Sequence, residues 1–220
     1  AEAKVAATVL TQPDSIAWLF NIRGADVAHT PLPLSTAILP ASGRPSLFID
    51  GRKLGNAERA YLEDIADLAE PGAFGAALDT LGAAGGEILI DPSWVSQAIL
   101  SRIAAAGGTV REGEDPVLLP KAKKNAAEIA GTRAAHLRDA GAFARFLAWF
   151  DAEAPKGGLD EITVVEALEG FRRETGELLE ISFDTISGAG PNGAIVHYRV
   201  TRPTNRRVEP RPPFPIGSGA

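Results

Sequence analysis

The sequence predicts an α/β fold, a mixed sheet with flanking helices, followed by an α+β portion. Short runs rich in Val, Ile, Leu and Ala alternate with helical patterns of about a dozen residues through the first half. Near residue 118 this alternation gives way to one long helical pattern and then to glycine- and proline-rich chain. Hydrophobic residues are 45% and charged residues 23% of 220, enough apolar side chain for packed cores in one large or two modest domains. The expected division is an α/β domain over 1–118 and an α+β portion over 119–220.

The elements follow in order. Residues 4–10 read as a strand, and QPDSIAWLF (12–20) as a short helix with Pro13 in its first turn, where a missing N–H costs nothing. Apolar runs at 34–39 and 47–50, joined by PASGRP, read as a β-hairpin. Residues 56–68 alternate charged and apolar side chains at helical spacing. Gly85-Gly86 precedes a short buried strand at 87–90. Asp91-Pro92-Ser93 then starts a helix running to about Ala105, Gly107-Gly108 ends it, and 109–111 is a further strand.

In the second portion, 121–150 reads as a single helix. Ala130, Ala134, Leu137, Ala140, Ala144 and Leu147 form one stripe, and Phe143, Phe146 and Phe150 widen the apolar face. Thr163 and Glu166 fit a capping box ahead of a helix to about Glu174, whose core side is Val164, Leu168 and Phe171. Residues 181–186 and 194–200 read as strands around a glycine-rich loop. Five prolines fall between Pro203 and Pro215, so 211–216 is expected to be an edge, a polyproline II segment or a tail, and not a central strand. The start of the chain reads directly as a strand and carries no Met, which suggests that preceding sequence is missing.

Composition removes several function classes. With no cysteine there is no disulfide, thiolate nucleophile, Cys-ligated zinc or iron–sulfur cluster. A net charge of −6 argues against a general phosphate-binding surface, so no nucleic-acid partner is expected. No apolar run approaches the about 18 residues of a membrane span, so no membrane partner is expected either. GAGPNG (188–193) matches G-x-G-x-x-G, but strand-like residues follow it where a dinucleotide site needs a helix N-terminus.

The remaining candidates are few. No pair of His29, His136 and His197 has metal-ligand spacing, and no nucleophile elbow is present. His136 lies among charged residues on the long helix and reads as a surface position, and His29 sits in a loop where it would orient a turn. His197 follows the glycine loop between Val196 and Tyr198. It is either a core histidine with one hydrogen-bond partner or a neutral imidazole at a site mouth, acting as substrate donor or proton shuttle. Asp160-Glu161 stands at a helix start, where carboxylates favour the dipole and serve as caps. Trp18, Trp94 and Trp149 fall on helical patterns and are expected in the core.

Several segments resemble the Xaa-Pro aminopeptidases (aminopeptidase P, peptidase family M24B). PDSIAWLFNIRGADVA (13–28) resembles the start of their middle domain; 31–39, 47–50 and 121–150 continue the likeness in order, and SFDTISGAGPNGAIVHYRV (182–200) is its most specific piece. The resemblance implies a creatinase/prolidase N-terminal-like middle domain followed by the opening of a "pita-bread" catalytic domain, incomplete in this chain. It implies removal of an N-terminal residue from peptides with proline second, a cytoplasmic setting, and a homodimer formed through the catalytic domain of the complete enzyme. It also implies two Mn²⁺ ions held by two Asp, one His and two Glu, which generate a hydroxide and polarise the scissile carbonyl. The histidine of the G-A-I-V-H-Y segment, which in the family lines the site for substrate binding and proton handling, falls on His197.

The departure comes next. Thr204-Asn205-Arg206 is present, but the family's L-I-D-S-G-A stretch reads Pro215-Ile216-Gly217-Ser218-Gly219-Ala220, and Gly217 stands where the first Asp ligand is expected. Two functions are therefore expected in competition. One is an inert fragment of a metal-dependent aminopeptidase, with no metal in this chain. The other is a non-catalytic binding or scaffold protein that retains the middle domain.

Overall fold

In the computed structural model, residues 5–209 and 213–220 are described. The chain forms two compact units, Ala1–Lys124 and Asn125–Ala220. The division falls just after the 118/119 boundary expected from composition.

The strands of the first unit are β1 (Ala7–Leu10), β2 (Ser35–Pro40), β3 (Ser46–Ile49), β4 (Asp67–Ala69), β5 (Glu87–Ile90) and β6 (Thr109–Glu112). They form one mixed sheet in the order β4-β3-β2-β1-β5-β6. The pairs β1–β2 and β2–β3 are antiparallel, and the other three are parallel. Helices α1 (Pro13–Leu19), α2 (Asn56–Ile65), α3 (Phe74–Ala83), α4 (Gln97–Ala105) and the short α5 (Leu118–Ala122) complete the unit.

Two apolar clusters cover the sheet, and the strand pleat sorts residues between them. Ala7, Val9, Ile38, Phe48, Ile88 and Ile90 join Leu78 of α3 and Ile103 of α4. Leu10, Ala37, Leu47 and Ile49 join Ile16 of α1 and Leu62 of α2. All four residues of β1 are buried, as a strand covered on both faces requires.

The first unit departs from the sequence reading at four places. Helix α2 stops at Ile65, because Ala66 turns extended and Asp67–Ala69 pairs with β3. The Arg44 guanidinium holds this end, donating to the carbonyls of Glu63, Asp64 and Ala66 and to the Asp67 carboxylate. Helix α3 has no counterpart in the sequence reading. Its Gly82 lies against the Ala106 methyl and the Ile103 carbonyl, where an added Cβ would sit 2.7 Å from each. The run at 91–93 forms a turn in which the Asp91 carboxylate accepts the Ser93 N–H, and helix α4 starts only at Gln97. Trp94, expected in the core, is 54% exposed.

The second unit contains α6 (Ala126–Glu153), α7 (Glu161–Arg173) and a two-stranded ladder of β7 (Ile186–Ser187) and β8 (Ile216–Gly217). The single helix expected at 121–150 is broken at Lys123, whose backbone is extended. The Asn125 side chain accepts the Glu128 N–H, and the Glu128 carboxylate accepts the Asn125 N–H, which fixes a fresh start. The apolar face is also rotated. Leu137 and Leu147 of the expected stripe are 78% and 46% exposed, while Ala142 and Phe146 are fully buried. Phe146 lies within 6.0 Å of the Phe143, Trp149 and Phe150 rings and packs on Val164 and Leu168 of α7. Helix α7 starts three residues before the expected box, with Asp160 as its cap and the Thr163 hydroxyl donating to Asp160.

The strands expected at 181–186 and 194–200 shrink to Ile186–Ser187 alone. The N–H groups of Asn192, Ile195 and Tyr198 donate to the carbonyls of Ala189, Asn192 and Ile195, so successive turns replace the expected second strand. Within the proline-rich segment, Ile216–Gly217 pairs antiparallel with Ile186–Ser187, while residues 210–212 of the expected edge or tail lie outside the described residues.

Phe146→Ala should cost about 3–5 kcal/mol, from lost burial plus the cavity left behind. Leu137→Ala should stay within about 0.5 kcal/mol. Urea denaturation of both variants checks this; equal costs would place the core on the wrong face of α6.

Candidate functional site

The chemistry-bearing residues of the second unit converge on one buried carboxylate. Glu161, in the first turn of α7, is 0% exposed. One of its oxygens accepts the Ala189 N–H at 2.6 Å and the Asn192 amide at 2.9 Å. The other accepts the Tyr198 hydroxyl at 3.0 Å and the Arg206 N–H at 3.1 Å. A carboxylate removed from water needs such a donor shell, because leaving it unpaired costs several kcal/mol. Glu161 is therefore a hub and not the helix cap that the sequence suggested; Asp160 alone is the cap.

The donors come from two segments that this hub ties together. Residues 188–198 fold as a tight 3-10 turn, Gly190–Ala194, followed by a reverse turn at 195–198. Gly188 and Gly193 touch backbone to backbone, and an added Cβ at Gly188 would lie 2.8 Å from the Gly193 Cα. The G-x-G-x-x-G spelling thus serves a close approach of chain to chain. Thr204-Asn205-Arg206 straps the start of α7: the Glu161 N–H donates to the Arg206 carbonyl, the Ile162 N–H to the Asn205 side chain, and the Tyr198 hydroxyl meets Thr204. The Ser187 hydroxyl donates to the Glu161 carbonyl at 3.0 Å.

Electrostatics follow from this packing. Burial pushes the Tyr198 phenol above its ordinary 10.0, and its hydrogen bond to Glu161 adds to the shift. Burial also pushes the Asp160 carboxyl up, but the Thr163 N–H and hydroxyl, Asn205 and the Ile162 N–H outweigh it and hold the group below 3.8.

His197 sits on the surface of this assembly. It is exposed, on the reverse turn, with φ of 53°, in the left-handed region that costs a non-glycine residue about 1 kcal/mol or more. The apolar strand expected to carry it is absent, and with it the core-histidine alternative. The imidazole instead reaches solvent beside Val196, which is 82% exposed. His136 is exposed on α6, and His29 occupies a left-handed turn position with φ of 63° in the first unit.

Gly217 lies in β8 opposite Ile186. A Cβ added there would meet Ile186 side-chain atoms at 3.5 Å, an ordinary contact. Beside it, Arg172 is 3% exposed, grips Asp139 through two hydrogen bonds at 2.7 and 3.1 Å and donates to the Ser218 hydroxyl.

Comparison with known proteins places this geometry. Residues 1–128 match the model of the creatinase/prolidase N-terminal domain, and residues 130–220 match metallopeptidase family M24. The chain belongs to the creatinase/prolidase family of M24 metallopeptidases. Aminopeptidase P2 of Arabidopsis thaliana is 33% identical over 100% of this chain and 35% of its own length. Xaa-Pro aminopeptidase 1 of Dictyostelium discoideum is 35% identical over 91% of this chain and 32% of its own. The X-prolyl aminopeptidase of Caenorhabditis elegans, described as a cytosolic enzyme with a di-nuclear active site, superposes with a TM-score of 0.88 at 29% identity over 98% of this chain and 36% of that one. The Xaa-Pro dipeptidase of Bacillus anthracis shares the fold, with a TM-score of 0.65 at 19% identity. The chain thus spans about a third of the length of the relatives it matches.

Among the described residues no three His, Cys, Asp or Glu side chains gather where a metal could be held, and Gly217 offers no donor atom.

The sequence reading missed Glu161, Asn192 and Tyr198 as a cluster. They are separated by up to 37 residues, and the one local signal was the Asp160-Glu161 pair, which needs only one member as a cap.

Glu161→Ala should leave the Ala189 and Arg206 N–H groups without their acceptor, with Asn192 and Tyr198 keeping Thr204, and destabilise the second unit by about 3 kcal/mol; Glu161→Gln should cost less because one acceptor oxygen remains. Urea denaturation with amide exchange at Ala189 and Arg206 reads this; a loss under about 1 kcal/mol would remove Glu161 as the hub. Tyr198 gives a pH signature. Since its folded value is raised, its contribution to stability is complete below pH 10.0 and is lost as pH climbs through the folded value. Ultraviolet titration should show a phenolate forming above that pH and missing in Tyr198→Phe.

Proposed function

We propose that this chain is the middle domain and the opening of the catalytic domain of a metal-dependent aminopeptidase that releases the N-terminal residue from peptides with proline second. The observation that carries the reading is the likeness to Xaa-Pro aminopeptidases along 97–100% of the chain in both the Arabidopsis relative and one of Colletotrichum graminicola. The superposition on the C. elegans enzyme supports it in three dimensions. The first unit is the creatinase-like middle domain, and the second begins the pita-bread domain.

In this reading the complete enzyme holds two metal ions, Mn²⁺ by family resemblance, and this chain holds none. His197 binds substrate and handles protons. An imidazole can donate from one nitrogen and accept at the other, and the Glu161 hub holds the turn on which it stands. The cytosolic C. elegans neighbour supports a cytoplasmic setting, and no described helix is long and apolar enough to cross a membrane. The homodimer belongs to the complete enzyme. The second reading, a non-catalytic binding or scaffold protein, is favoured by Gly217, which has no donor atom where the resemblance expects an Asp.

The chain alone, given an Xaa-Pro peptide and Mn²⁺, should show no turnover above a chelated control; chelator-sensitive turnover would overturn its inertness. A hybrid in which this chain replaces the matching part of the C. elegans enzyme, with the first Asp ligand restored by Gly217→Asp, should cleave Xaa-Pro peptides. His197→Ala should then lower kcat/KM by about a hundredfold or more at unchanged fold. A folded hybrid that cleaves nothing would favour the scaffold.

A further inference from the structure

A cleft in the first unit has no place in the proposed chemistry of the second. It has a volume of about 700 Å³, and Arg23, Asp26, Pro33, Lys53, Glu58 and Tyr61 are among the residues that line it. Its walls follow β1 and β3, so it opens at the carboxyl ends of two strands that run the same way on either side of β2. A volume of this size suits a short peptide.

The rim is built rigidly. Gly24 is pressed on Pro33, where an added Cβ would lie 2.9 Å from the ring, and its N–H donates to the Pro31 carbonyl. The Asp26 carboxylate accepts the Leu34 N–H and pairs with the Lys53 ammonium, which also donates to the Leu34 carbonyl. These hydrogen bonds, the Lys53 one first, hold the Asp26 carboxyl below 3.8, so the pair stays internally neutral near pH 7. The Tyr61 hydroxyl donates to the Phe20 carbonyl. Asn21 holds φ of 49°, a left-handed strain of the kind that collects at binding loops.

Two charges in the cleft are left over. Arg23 donates one N–H to the Ile22 carbonyl and, among the described residues, has no carboxylate partner. Glu58 likewise has no cation. A guanidinium with a free fork beside apolar walls is suited to a carboxylate, which it binds with two parallel hydrogen bonds. Apolar surface for side chains comes from Ile22, Pro33, Ile49 and Leu54.

We propose that this cleft binds a short peptide, with its free carboxylate on Arg23 and its N–H donors on Glu58. The peptide character of the ligand rests on the peptidase reading above; the carboxylate site rests on the cleft alone.

The test is calorimetric titration of the metal-free 220-residue chain with an Xaa-Pro tripeptide, its C-terminal amide, and acetate. The acid should bind about tenfold more tightly than the amide. That preference should vanish in Arg23→Ala and return in part in Arg23→Lys, while Glu58→Ala should weaken acid and amide alike. Circular dichroism confirms that each variant folds. Equal binding of acid and amide, or an undiminished preference in Arg23→Ala, would overturn the proposal. A tripeptide no tighter than acetate would reduce the cleft to an anion site and overturn its peptide part. An inactive hybrid enzyme alongside intact Arg23-dependent binding would count against the peptidase reading and not against the cleft.

Discussion

A carboxylate sealed from water must be surrounded by hydrogen-bond donors, and the second unit is organised around that demand at Glu161. Two elements that make almost no regular secondary structure, the glycine turn at 188–198 and the Thr204-Asn205-Arg206 strap, reach the helix because each supplies a donor to the same side chain. The strap returns a carbonyl to the Glu161 N–H, so the helix start and the carboxylate are satisfied together. This arrangement replaces the strand ladder as the source of order: only Ile186–Ser187 and Ile216–Gly217 pair as strands among the described residues of this unit. His197 inherits its position from the hub without touching it, since Asn192 and Tyr198 are anchored on either side of it in sequence.

The first unit solves a different problem. Its sheet carries three parallel and two antiparallel pairings, so helices must cover both faces, and the pleat assigns adjacent residues of β2 and β3 to opposite clusters. Ala37 and Ile38 face opposite ways, as do Leu47 and Phe48. That leaves the strand ends, and the loops leaving β1 and β3, as the places where polar residues can gather without disturbing a core. Asp26, Lys53 and Arg23 stand there, and Glu58 joins them from the first turn of α2. Their positions follow from topology, and their pairing, Asp26 with Lys53, decides which charges remain available.

How much of this was legible in the sequence depends on the distance over which each signal acts. The pleat alternation, the proline in the first turn of α1 and the glycines after α4 are local, and β1, β2, β3, β5, β6, α1 and the end of α4 were readable from them. Helix α2 was read too long because Leu68 continues its spacing; what ends it is Arg44, more than twenty residues earlier, satisfying its last carbonyls. The Asn125 and Glu128 box was local and present in the sequence, yet the apolar spacing across it suggested continuity. On α6 two apolar arcs compete, and nothing in the helix itself tells which one meets Val164 and Leu168. The Glu161 hub was illegible for the same reason: its donors are scattered, and each looks ordinary in its own neighbourhood.

Gly217 separates structure from chemistry. The β8 strand still pairs with β7, Ile186 would receive a Cβ at ordinary distance, and the neighbouring Ser218 hydroxyl is held by Arg172. In extended backbone, successive side chains point to opposite faces. The Ser218 hydroxyl that meets Arg172 therefore marks one face, and a side chain at 217 would project from the other. Arg172 bonds Asp139 and Ser218 through Nε and Nη2, and its buried Nη1 has no hydrogen-bond partner. An acid there would need a cation or donor facing it. The nearest atoms that a Cβ at 217 would meet are all of Ile186, and glycine leaves the strand intact at no electrostatic cost.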